Sequence, residues 1–265
     1  MPPPARGDGS IPVGKRLGSE TLYGVHLVLA ALRVGRRSVR EVWIASGRED
    51  GKAREIRDLA TAQGVRVSRH PRARLDREIP GGVHQGVVAF ASPLPLSNED
   101  EIVEGCGSRP FLVVLDGVED PRNLGAIIRS SVAAGVDGML ISARRSAPLG
   151  PAAARASAGC SETVRIGRCA NVVALLRRFR KAGIWTVGLD PGAEGLWTEF
   201  DYRMGFAMVV GGEGKGLRPL VRRSVDATVR IPMQPGSESL NVSVAAGIAL
   251  FEAVRQRRLA GPPRK

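Results

Sequence analysis

Three separated stretches of the chain mix glycine with carboxylate, amide, hydroxyl and guanidinium side chains. They are Asp116-Gly-Val-Glu-Asp-Pro-Arg-Asn-Leu-Gly-Ala-Ile-Ile-Arg129, Val210-Gly-Gly-Glu-Gly-Lys-Gly-Leu-Arg218 and Ile231-Pro-Met-Gln-Pro-Gly-Ser-Glu-Ser-Leu-Asn-Val-Ser243. Each follows an apolar run that reads as a strand. In an open α/β sheet, ligands collect beyond the carboxyl ends of the strands, so the three could meet in one crevice. Familiar phosphate-binding chemistry does not explain the second stretch. Gly211 and Gly216 have the gap of a Walker loop, but Leu217 stands where Ser or Thr is required. Gly212-x-Gly214 lacks the third glycine of a dinucleotide fingerprint and comes late in the chain. A tight turn is the remaining plain reading, and five glycines between 205 and 216 exceed what one turn needs.

The surrounding pattern supplies elements to position these stretches. Residues 1–18, rich in Pro, Gly and basic side chains, are expected as a flexible arm. A small unit over 19–91 follows, with a helix from Leu22 to Leu32, strands at Glu41–Ala45, Val65–Val67 and Gly86–Ala91, and a helix at Ala53–Gln63. Residues 92–108, with Pro93, Pro95 and the acidic run Asn98–Glu104, are expected as a linker whose acidic part is a solvated hinge or short helix. A second α/β unit covers 109–265. Its strands are Phe111–Leu115, Met139–Ile141, Glu162–Ile166, Ile184–Leu189, Phe206–Val210 and Ala227–Ile231. One helix opens with Asp120-Pro121 and stops at Gly135, another opens at Asn171, and Ala152–Ala158 is also read as helical. The last helix, Ser243–Arg258, puts Val244, Ile248, Phe251 and Val254 on its apolar side. Short apolar strands alternating with helices imply a mostly parallel sheet covered on both faces.

Composition narrows the partners. The 265 residues carry 39 Lys and Arg against 26 Asp and Glu, a formal charge of +13. That excess attracts polyanions in a salt-sensitive way and points to nucleic acid. Only five of the basic residues are lysine, which genome base composition can explain, but the excess over acids it cannot. Cys106, Cys160 and Cys169 have no paired spacing and His26, His70 and His84 are scattered, so neither a disulfide framework nor a metal site is expected. No apolar run is long enough to span a bilayer, and the first residues lack the apolar core of a secretory signal. A cytoplasmic location without membrane contact is expected.

Taken together and in this order, the three stretches resemble the signature motifs of the SPOUT superfamily, in its SpoU/TrmH branch of RNA ribose 2′-O-methyltransferases. The resemblance runs from about Pro110 to Arg258. Leu22-Tyr-Gly-Val-His26 and His84-Gln-Gly-Val-Val-Ala89 look like the ribosomal-protein-like RNA-binding domain of bacterial enzymes that methylate a guanosine in large-subunit rRNA. The resemblance implies a C-terminal trefoil knot, rare among proteins, S-adenosyl-L-methionine (SAM) as cofactor, and structured RNA, first of all 23S rRNA, as substrate. It also implies a homodimer in which first-motif residues of one subunit complete the site of the other.

Carried over by motif, Arg129 stands beside the 2′-hydroxyl, either activating it or holding the adjoining phosphate. The phosphate role suits a guanidinium better, since it does not deprotonate in proteins. Asn123 fixes Arg129 or the ribose, with a helix-start role as the alternative. Glu213 holds neighbouring polar groups at the catalytic centre, or is a surface turn residue. Ser239 and Asn241 bind the arginine or the substrate. Gly211, Ile231 and Leu240 contact SAM, mainly through their backbones. Such a site works largely by alignment, which can supply roughly 7–11 kcal/mol of a barrier. Pro235-Gly236 departs slightly from the pattern, since some relatives have the glycine one place earlier. His26, His84 and Gln85 are candidates for RNA contact, with core packing or a turn as equal readings. Two rival functions stand beside rRNA methylation: tRNA ribose methylation, and a non-catalytic RNA-binding ribosome-assembly factor of the same fold.

Overall fold

The computed structural model describes residues 18–237 and 239–261. Of the arm expected over 1–18, all but Gly18 lies outside the described residues. The chain divides between Leu94 and Pro95 into two compact units.

The first unit runs β1 (Glu20–Tyr23), α1 (Val25–Val34), β2 (Val39–Ala45), α2 (Gly51–Ala62), β3 (Arg66–His70), α3 (Arg72–Glu78) and β4 (Val87–Ala91). Its sheet has the order β1-β4-β2-β3. β4 is antiparallel to β1 and β2, while β3 is parallel to β2. The helix expected from Leu22 starts only at Val25. Leu22 instead pairs with Ala89 in the sheet, because Gly24 at φ 95° turns the chain between strand and helix. Trp43, Val88 and Phe90 pack against Leu75 of α3 and Ile79 just after it. The alternating Val42, Ile44, Val87 and Ala89 are equally buried, so both faces of the central strands are covered.

The second unit runs α4 (Glu99–Glu104), β5 (Phe111–Asp116), α5 (Pro121–Ala134), β6 (Gly138–Ser142), α6 (Pro151–Ala156), β7 (Arg165–Cys169), α7 (Val172–Lys181), β8 (Trp185–Leu189), β9 (Gly195–Leu196), β10 (Phe206–Gly211), α8 (Pro219–Arg222), β11 (Ala227–Arg230) and α9 (Val242–Leu259). Its seven strands are ordered β7-β6-β5-β10-β8-β11-β9, and every pairing is parallel. Phe111, Val113 and Leu115 face α5 and α9, whereas Leu112 and Val114 face α4, α7 and α8. That double burial explains why these strands read as unbroken apolar runs.

The acidic run inside the stretch expected as a linker is α4, closed by a capping box. Asn98 Oδ1 accepts from the Glu101 amide, and the Glu101 carboxylate accepts from the Asn98 amide. Buried Ile102 seats this helix on the sheet of the second unit. The strand expected over Glu162–Ile166 is displaced. Residues Cys160–Glu162 form a short 3-10 turn, after Ala158 at φ 52° and Gly159 at φ 87°, and β7 begins at Arg165.

The last helix also differs from expectation. Of the residues expected on its apolar side, Val254 packs against the core, whereas Val244, Ile248 and Phe251 are 50%, 38% and 49% exposed. Its packed face is Ala246, Ala249, Leu250 and Ala253. Small residues let α9 lie close against α5, where a Cβ on Gly247 would sit 3.7 Å from Ser130 Oγ.

Candidate active site

Strand order reverses between β5 and β10. From β5 the chain builds outward through β6 and β7, then returns to add β8, β9, β10 and β11 on the other side. Such a switch opens a crevice at the carboxyl ends of the strands. The first and second sequence stretches emerge there side by side, with Asp116 and Gly211 directly paired in register.

The glycines of the second stretch make this junction possible. A Cβ on Gly212 would lie 2.1 Å from the Gly117 carbonyl oxygen, and one on Gly211 would lie 2.0 Å from the Gly216 carbonyl carbon. Gly214 and Gly216 take φ of 73° and 60° inside a turn closed by the Gly212–Gly216 bridge. The turn therefore needs four glycines for its own closure and for contact with the first stretch. Gly205 belongs elsewhere, packed on Pro110.

An ion pair between a buried acid and a part-exposed arginine fastens the same junction. Asp116, at the end of β5, is fully buried at its side chain and pairs with the guanidinium of Arg218. It also accepts from the Arg218 amide at 3.3 Å. Hydrogen bonding to Asp116 holds the Arg218 guanidinium more firmly protonated than usual. Sequence reasoning quoted both residues within the motifs and assigned neither a role. An acid at a strand end, followed a hundred residues later by an arginine two places past a glycine turn, gives no local signal of pairing.

Three of the five predicted catalytic side chains form one hydrogen-bonded chain. Glu213 accepts from the amides of Glu119 at 3.1 Å and Asp120 at 3.3 Å, and from Asn123 Nδ2 at 2.8 Å. Asn123 Oδ1 accepts from Asn241 Nδ2 at 3.1 Å. Asn241 Oδ1 then caps α9, accepting from the Ser243 amide at 2.9 Å and the Val244 amide at 3.4 Å. Burial raises the Glu213 pKa, but hydrogen bonds from Asn123 and the Glu119 and Asp120 amides outweigh it and keep the carboxyl below its usual range. Its place before the first turn of α5 also suits a negative charge. With their amide and carboxylate groups committed to one another, these three hold the loops in register.

Ser239 and Arg129 differ. Ser239 lies exposed on a cleft wall. Arg129 is exposed on α5, near enough to Cys160 to act on its titration, and is not part of the hydrogen-bonded Glu213–Asn123–Asn241 chain. Neither side chain has a hydrogen bond to another described residue. One turn before Arg129, Gly125 packs on α6 so tightly that a Cβ would meet Ala153 O at 2.6 Å.

The cleft itself has a volume of about 750 Å³. Its walls are the loops after β8, β10 and β11, and Gly211, Ile231 and Leu240 are all among them. Leu189, Val210, Ile231, Met233 and Leu240 supply apolar surface of the kind that takes a planar heteroaromatic ring. Among the described residues the main-chain amides of Ile231, Met233 and Leu240 have no protein acceptor. An apolar slot edged with available main-chain donors fits the adenosyl part of SAM.

In the first unit, His26 is exposed on α1. His84 is buried, lying 2.7 Å from Asp76 Oδ1 and accepting from the Gly86 amide at 2.9 Å. Gln85, at φ 51°, accepts from the Val25 amide at 3.1 Å and so seats the start of α1. His84 and Gln85 thus have structural work in the unit itself. Burial pushes the thiols of Cys106 and Cys169 up to about 11. Among the described residues no cluster of His, Cys, Asp and Glu could hold a metal.

Comparison with known proteins agrees with this geometry. Residues 110–251 match the SpoU rRNA Methylase family, and residues 21–97 match the domain described as RNA 2'-O ribose methyltransferase substrate binding. The 23S rRNA (guanosine-2'-O-)-methyltransferase RlmB of Ralstonia nicotianae is 42% identical over 241 residues, 90% of this chain and 96% of that protein. RlmB of Escherichia coli K12 is 39% identical over 241 residues, 90% of this chain and 99% of its own length. Among solved structures, the SpoU methyltransferase AviRb from Streptomyces viridochromogenes in complex with AdoMet superposes with a TM-score of 0.77 at 28% identity, covering 94% of each chain. The chain belongs to the SpoU rRNA methylase family.

Proposed function

We propose that the protein is a SAM-dependent methyltransferase acting on the ribose 2′-hydroxyl of a guanosine in 23S rRNA, in the cytoplasm. The observation that carries this reading is the chain Glu213–Asn123–Asn241 beside a cleft walled by Gly211, Ile231 and Leu240. The substrate-binding match over 21–97 and the RlmB relatives favour rRNA over tRNA, and retention of all five polar site residues favours an enzyme over an assembly factor. When bound, SAM supplies an electrophilic methyl group. Gly211, Ile231 and Leu240 hold the adenosyl part through backbone and apolar contacts. Glu213, Asn123 and Asn241 fix the three loops, so that alignment rather than proton transfer is their share of catalysis. Ser239 orients the substrate from the cleft wall. Arg129 holds the phosphate next to the reacting ribose and polarises its hydroxyl, a task suited to a permanently charged fork of donors.

Two chains are needed to bring these parts together. Arg129 makes no hydrogen bond to its own chain's cluster, and the exposed stripe Val244, Ile248 and Phe251 runs along α9. Ser130 and Gly247, neighbours of Arg129 and Ile248, meet at the crossing of α5 and α9. Pairing on this face buries the stripe and carries Arg129 towards the cleft of a second copy. The C-terminal part is threaded as a trefoil knot, as its family membership suggests.

The test is transfer of labelled methyl from SAM to transcribed 23S rRNA, with the product mapped by resistance of the methylated linkage to alkaline hydrolysis. A single protected guanosine position is the expected result. Label on a base, or none on the rRNA while tRNA is labelled, rejects the reading.

A further inference from the structure

The turn that follows β6 lies on the same carboxyl edge of the sheet as the site, on the far side of the first motif from the cleft. It is pinned at several points. The Ala143 amide donates to Cys169 O at 2.8 Å, and the Ala147 amide donates to Val118 O at 2.8 Å. Ser142 Oγ accepts from the Gly117 amide at 3.2 Å, lies 2.7 Å from Ser146 Oγ and donates to Arg144 O at 3.0 Å. Arg168, from β7, donates to Ala147 O at 3.2 Å. This network keeps Arg145 at φ 54°, one of three non-glycine residues with positive φ among those described. Such a conformation costs free energy for an L side chain, and strain of this kind gathers at functional positions.

The strained turn presents charge to solvent. Arg144 and Arg145 are both exposed. Among the described residues of the same unit, the exposed Arg122, Arg178 and Arg218 are each paired with a carboxylate, whereas Arg165, Arg177 and Arg223 are not. Among the described residues, no carboxylate pairs with Arg144, Arg145 or Arg168. Two exposed guanidinium groups without carboxylates, on a turn held rigid beside the first motif and braced by Arg168 of β7, match the chemistry of a phosphodiester.

We infer that Arg144 and Arg145 form a second phosphate-binding point for the RNA substrate, gripping the strand a few nucleotides from the reacting ribose. The inference rests on the proposed function. Gly117 touches both this turn, through Ser142, and the Gly212 turn beside the cleft. The ends of β6 and β10 are two strand spacings apart, roughly 10 Å. That is about three nucleotides of a stacked strand at roughly 3.4 Å each. A strand laid across the first motif with its target ribose at the cleft therefore passes over this turn.

The experiment compares wild type with the double variant R144A/R145A and with R145G, using transcribed 23S rRNA and SAM. For R144A/R145A the expected result is a KM for RNA raised about tenfold or more, with kcat at saturating RNA and SAM affinity unchanged. The slope of log Kd against log salt should fall by about two, because each lost phosphate contact removes about one counterion. R145G relieves the backbone strain, so it should lower the slope by about one without lowering Tm, an outcome a merely structural arginine would not give. R177A/K181A, which removes two exposed charges on α7, is the control. An unchanged KM and slope in R144A/R145A, or an equal fall in the control, overturns the inference. Wild type that neither binds nor methylates the rRNA overturns the proposed function instead, so the two failures are distinguishable.

Discussion

Asn241 donates its side-chain amide to Asn123 Oδ1 at 3.1 Å, across 118 residues of sequence. The same Asn241 caps α9 with its carbonyl oxygen, while Asn123 passes its own amide to Glu213. One side chain therefore ties the start of the last helix to the first and second motifs. Asn241→Ala should cost about 0.5–2 kcal/mol of stability through the lost cap and should also abolish most methyl transfer. Asp in its place keeps an acceptor for the cap and loses the donor to Asn123. Denaturation and transfer assays on both variants separate the effects: Asn241→Asp should retain stability and still lose transfer.

Glu213 gives a pH signature. Its folded-state pKa lies below the usual 4.5, so its hydrogen bonds add stability above that value and lose it as pH falls through the folded-state value. The stability difference between wild type and Glu213→Gln should be constant at neutral pH and shrink below 4.5. Chemical denaturation across that range measures it, and a difference that grows towards acid would speak against the carboxylate.

Gly212 has no room for a methyl group, since the nearest atom is main chain rather than a movable side chain. Gly212→Ala should displace the second-motif turn, cost about 1–3 kcal/mol through overpacking, and weaken SAM binding measured by calorimetry. Gly214→Ala, with open space around its Cβ but φ at 73°, should cost less.

The exposed stripe on α9 makes association testable by itself. Ile248→Asp or Phe251→Asp should turn a dimer into a monomer in sedimentation experiments and remove methyl transfer together with it. A wild-type monomer, or a monomeric variant with full activity, would contradict the shared site.

Much of this was legible in the sequence, for identifiable reasons. Strands buried on both faces announce themselves as apolar runs, and Asp120-Pro121 with Gly135 marks both ends of α5. Leu22 misled because a strand residue and a helix share one apolar run, and only Gly24 separates them. The stripe on α9 misled in a different way: periodicity finds an apolar face without saying whether it meets its own core or another chain. Asp116 and Arg218 escaped notice because pairing across a sheet edge leaves no periodic trace. The Glu213–Asn123–Asn241 connections were likewise beyond spacing alone, although the motifs had already brought the three residues together by resemblance.

Arg129→Ala is the most direct test of the division between loops that hold the cofactor and an arginine that acts on the substrate. SAM affinity by calorimetry and methyl transfer to 23S rRNA should be measured on the same preparation. Affinity within about twofold of wild type, with transfer reduced by about 10²–10⁴, is the expected result. Impaired SAM binding with transfer intact at saturating SAM would contradict it.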